Sequence, residues 1–136
     1  MIRKDFIEAE IQKLNQILAR IMGLKNDGNI EEAKEEALQT LSDSFELPAA
    51  TLTGLSAEEF ETWARERQFS AEKLNLLGQY LFESVYPFEE TDETFATLGK
   101  TIAVLNLLET EHHQQSLDNI SRREQINHFL SRRQYE

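Results

Sequence analysis

Cysteine is absent from the 136 residues. Disulfides, cysteine-ligated zinc and thiol catalysis are therefore excluded. Glycine and proline are scarce, at five and two residues. The glycines are scattered, so no GxGxxG, phosphate loop or GxSxG nucleophile motif is present. No apolar run approaches the roughly 20 residues of a membrane span. Basic residues are outnumbered, 14 Lys and Arg against 25 Asp and Glu, for a net charge of -11. That sign disfavours nucleic acid, whose binders present a basic face, and it disfavours anionic membrane surfaces. The opening stretch MIRKDFIEAE carries charges where a signal peptide needs an apolar run. A soluble cytoplasmic protein is expected.

What is present suits one domain over residues 1–136, with 40% hydrophobic content to build a core. The charge is uneven. Residues 31–62 hold nine acids and one base, and residues 89–111 hold six and one. Residues 112–136 are slightly basic through Arg122, Arg123, Arg132 and Arg133. An acidic flank and a basic end attract a partner or a second copy; the plainer reading is a solvated surface that keeps the chain soluble.

Helical spacing dominates the pattern. Ile7, Ile11, Leu14, Leu18 and Ile21 form one stripe on a helix over about 3–25, widened by Phe6, Ile17 and Leu24. Gly28 accepts the left-handed backbone that ends a helix. Asn29 and Glu32 then have the spacing of a capping box. The buried side of the second helix is Ile30, Ala33, Ala37, Leu38 and Leu41, and its small alanines let two backbones approach closely. Residues 46–55, with Pro48 and Gly54, read as a loop holding at most one short turn. Ser56 and Glu59 form a second box ahead of a helix over 57–67, with Phe60, Trp63 and Ala64 inward. Ser70 caps a helix over 71–85 that stops at Tyr86-Pro87, since proline disfavours a helical residue before it. Thr91 and Asp92 start a helix over about 92–114. A last one covers about 122–133, with Ser121 at its start.

Two stretches resemble the halves of a tetratricopeptide repeat. Gly28-Asn-Ile-Glu-Glu-Ala33 resembles its turn and second helix, and Leu74-x-x-Leu77-Gly78-x-x-Leu81 its first helix, with Gly78 at the close helix contact. Arg20 and Ile21 stand where the first hairpin should carry Leu and Gly, and no clean period of about 34 residues emerges. Asp5-Phe6-Ile7, Leu18-Ala19-Arg20-Ile21, Gly23-Leu24 and the Leu-Ser-Ala-Glu-Glu segment also resemble a family of small bacterial helical proteins of unknown function. The resemblances imply an all-α, tetratricopeptide-repeat-like stack of about six helices in three antiparallel hairpins. They also imply a concave face built from the first helix of each pair. In the repeat register that face draws on Asn15, Met22 and Lys25 from the first helix and Asn75, Gln79 and Phe82 from the helix over 71–85.

Other constellations are weaker. Glu109-x-x-His112 places a carboxylate and an imidazole on one helix face, as a di-iron bundle does. The partner motif is missing, because the third histidine, His128, stands four after Glu124 rather than three. Trp63 with Phe60 and Phe69 reads as core filling ahead of a ligand pocket. Ser56, Ser70, Thr91 and Ser121 stand where caps belong, which leaves no activated nucleophile. The expected function is a non-enzymatic module without metal or cofactor, binding a protein or peptide partner. The alternatives are a homodimer joined through the first helix, by Phe6, Ile17 and Leu24, and a metal-dependent enzyme centred on Glu109 and His112.

Overall fold

The computed structural model describes the backbone of residues 2–134 and the side chains of residues 6–132. Its described residues form seven helices and no strand. They are α1 (Ile2–Asn26), α2 (Ile30–Phe45), α3 (Ala49–Gly54), α4 (Ala57–Arg67), α5 (Ala71–Val85), α6 (Asp92–Glu111) and α7 (Leu117–Gln134). None of them is long and apolar enough to cross a membrane.

Local chemistry sets most of the boundaries. Gly28 takes φ +86° and turns α1 back into α2. The Asn29 side chain makes no cap bond, so the expected box there does not form. Ser56 and Glu59 close a full capping box, each side chain bonding the other's backbone N–H at 3.0 Å. Ser70 and Thr91 cap α5 and α6 through the N–H groups of Lys73 and Thr94. The stretch read as a loop folds the six residues of α3, which bury Leu52. Helix α6 ends at Glu111, short of the expected 114, and α7 begins at Leu117. Ser116, rather than Ser121, accepts the early N–H of Asn119, and Ser121 lies inside the helix.

Helix α5 is the centre of the molecule. It buries Leu74, Leu76, Leu77, Tyr80, Leu81 and Phe82, which cover about two thirds of the way around its axis and leave the side of Glu72, Asn75 and Gln79. A helix with so wide an apolar face needs several neighbours. Helix α1 packs on α2 and α5, α2 on α5, α5 on α6, and α6 on α7. Helix α4 packs on α6, and the chief neighbours of α5 are α2 and α6. The physical reason is the narrow apolar stripe of α4, which buries only Phe60 and Ala64 fully and is satisfied by one neighbour.

Close approach between α5 and α6 depends on Gly78. A Cβ there would lie 3.1 Å from Val104 Cγ1. The main core gathers residues from α1 to α6. A second cluster of Phe82, Leu98 and Ile126, with Phe88, Phe129 and Leu130 around it, fastens α7. Trp63 stacks on Phe60 at 5.6 Å and meets Phe69 edge-on at 5.9 Å, so these aromatics fill core.

Candidate functional site

Positions around α5 locate an open strip on its surface. Tyr80 and Glu83 turn toward α1: the Tyr80 hydroxyl donates to Leu14 O at 2.6 Å, and Glu83 receives Lys25. Burial pushes the Tyr80 hydroxyl up to about 12. Asn75 and Phe82 turn toward α7, where Asn119 Nδ2 donates to Asn75 Oδ1 at 2.7 Å and Ile126 packs with Phe82. At 100° per residue, Gln79 falls between these two sets, half-buried. Helices α1 and α7 thus flank a strip of α5 whose midline is Gln79.

The six residues expected on the concave face have different fates. Asn15 and Met22 are exposed on α1, and Gln79 is half-buried on α5. Asn75 is half-buried and held by Asn119. Phe82 is 4% exposed and belongs to the cluster under α7, so it supports the strip from below. Lys25 is consumed structurally: its ammonium donates to Glu83 Oε1, Glu83 O and Tyr86 O at 2.6, 2.8 and 2.6 Å. Burial holds that ammonium below its ordinary value, with Glu83 pulling it partly back. Of the six, only Asn75 and Gln79 are accessible on this side of α5, with Phe82 buried beneath and Lys25 closed off at the edge toward α1.

In the sequence the Arg122–Arg123 pair allows a grip on an acidic ligand, with plain surface charge the simpler reading; in the structure Arg122 lies half-buried on α7 with its guanidinium 6.0 Å from the Phe82 ring centre. Its Nη1 donates to Asn119 Oδ1 at 2.9 Å. Asn75, Asn119 and Arg122 therefore form a continuous polar chain along one wall of the strip. The signal that would have found it is the Asn119/Arg122 spacing of three, which puts both on one face of a helix reaching back to 117.

Glu109 and His112 do not form a centre. Glu109 accepts from Arg123 Nη2 at 3.2 Å, while His112 lines a cavity of about 350 Å³ between α4 and α6 with Arg65, Gln68 and Glu111. Among the described residues no three His, Asp or Glu gather as metal ligands. Of the side chains expected to join two copies through α1, Phe6 is 74% exposed, while Ile17 and Leu24 pack on the core. A polar cavity of about 390 Å³ opens at the end of the strip, its lining including Glu72, Asn75, Asn119, His113, Gln114 and Gln115.

No protein-family model, curated protein or solved structure matches the chain.

Proposed function

We propose that this chain is a non-enzymatic binding module that takes a peptide or protein segment along α5, between α1 and α7. The observation that carries the reading is the strip centred on Gln79. There a half-buried amide lies between two flanking helices, with Asn15 and Met22 exposed on α1 and Asn75 on the opposite side. Neutral amides and a methionine suit a peptide backbone and its apolar side chains better than they suit chemistry on a substrate. The order of neighbours supports a repeat-like stack. Helix α1 on α2, α2 on α5, α1 on α5, α5 on α6 and α6 on α7 is the sequence of contacts in layered hairpins, with α3 and α4 as an insertion leaning on α6.

The test is selection of displayed peptides on the purified protein, followed by calorimetry with the recovered peptide. Met22→Ala with Gln79→Ala is expected to weaken binding at least about tenfold, or roughly 1.4 kcal/mol, with the melting temperature unchanged. Neither side chain has a polar partner among the described residues. Full retention of binding by the double variant discards the strip.

The 74% exposure of Phe6 favours a second reading, self-association through the start of α1. Light scattering decides it: a monomer at all concentrations rejects the reading, and a dimer converted to monomer by Phe6→Glu supports it.

A further inference from the structure

Arg122 is out of place in so acidic a chain. Arg20, Arg65, Arg67 and Arg123 each have a carboxylate partner. Arg122 and Arg132 have none among the described residues; Arg132 is exposed, whereas Arg122 is half-buried and held in place. One of its N–H groups is used on Asn119 and its plane is near the Phe82 ring, which leaves donors of the fork unspent. Asn119 is itself held by Asn75 on α5. A guanidinium positioned in advance by an amide and an aromatic ring loses little further freedom when it binds an acceptor.

Resting on the reading of the α5 strip as a peptide site, we infer that Arg122 receives a side-chain carboxylate of the bound peptide, so that the partner segment is acidic at that position. Arg122 is a cation with no acid of its own beside the amides of Asn119 and Asn75, and it matches a single negative charge there; the acid of the strip, Glu72, lies at its far end, on the cavity beyond Asn75. A doubly charged phosphate on a chain of net charge -11 would need more than one cation. The two N–H groups of the fork and the two carboxylate oxygens supply the bidentate geometry. Asn75, Gln79 and Met22 are uncharged and take the flanking backbone and apolar groups, while Glu72 disfavours a second acid at the far end of the strip.

The experiment compares two end-blocked tripeptides, acetyl-Ala-Glu-Ala-amide and acetyl-Ala-Gln-Ala-amide, titrated to roughly 20 mM into the labelled full chain while side-chain N–H resonances are followed. The expected result is a saturating shift of the Arg122 Nε–H and Asn119 amide signals with the glutamate peptide and at least about tenfold weaker shifts with the glutamine peptide. Arg122→Gln should abolish the difference at unchanged melting temperature, and Arg122→Lys should retain only part of it. Phosphoserine in place of glutamate should bind no better. Equal shifts from both peptides around Gln79 with Arg122 unmoved would overturn the assignment of Arg122 and leave the strip standing. No shift at either place would remove both.

Discussion

Lys25 Nζ in α1 lies 2.6 Å from Glu83 Oε1 in α5, and the two side chains are 8% and 7% exposed. The ammonium has three N–H groups and three acceptors, two of them carbonyls at the end of α5. That end of a helix carries partial negative charge, so the lysine both pairs the carboxylate and satisfies orphan carbonyls. The contact ties the beginning of the fold to its central helix.

Breaking one side of this pair should be costly. Lys25→Met strands a buried carboxylate, with an expected loss of about 3–5 kcal/mol. Lys25→Met with Glu83→Leu should recover most of that loss, because the burial penalty of both charges disappears together. Urea unfolding of the two single variants and the double checks the coupling. Additive losses would show that the pair is not the unit described.

Lys100 is 2% exposed on α6 and has no hydrogen-bond or ion-pair partner among the described residues. Burial lowers its pKa below the ordinary 10.5. The folded state therefore binds this proton less well than the unfolded chain does. Stability should rise with pH between the lowered folded value and the ordinary one, and the cost should be fully present below the folded value. Lys100→Met removes the charge and keeps the stem; because the stem is buried while the ammonium reaches solvent, only a small gain at neutral pH is expected. Thermal melts of both proteins across the alkaline range read this out, and the gap should close as pH rises.

Gly78→Ala sets two effects against each other. Alanine in a helix interior is worth about 1 kcal/mol over glycine. Its Cβ, however, would meet Val104 Cγ1 at 3.1 Å, and Val104 is fully buried and stiff at χ1. The clash should win by about 1 kcal/mol. Val104→Ala in the Gly78→Ala background should cost less than it does alone. A double-mutant cycle with no coupling would place the α5–α6 approach elsewhere.

At the start of α4, Ser56→Ala should lower stability by about 1 kcal/mol through loss of the cap. The Glu59 carboxylate, held below its ordinary 4.5 by the Ser56 backbone N–H, gives this box an acid dependence. Its contribution is present above that ordinary value and fades as pH falls through the lowered one. Glu59→Gln should flatten that part of the stability profile.

Much of this architecture was legible in the chain. The all-helical class, Gly28 as a stop, the Ser56, Ser70 and Thr91 caps, and the limits of α4 and α5 follow from spacing and capping within a few residues. The misreadings were also local. Leu38 fits the periodic stripe yet stays 37% exposed, and Thr40, a polar residue, is buried in its place. The stripe shows which side of α2 is apolar, whereas the angle at which α5 crosses it decides which edge is covered.

By itself the sequence determined that the chain is helical and where α1, α4 and α5 run, because caps, turns and periodicity act over three or four residues. Tertiary structure alone decided that α4 leans on α6, that Lys25 is spent on Glu83, and that Arg122 meets no acid among the described residues. Those outcomes depend on which surfaces meet when every apolar stripe is covered at once, a competition among distant segments that no short window of residues contains.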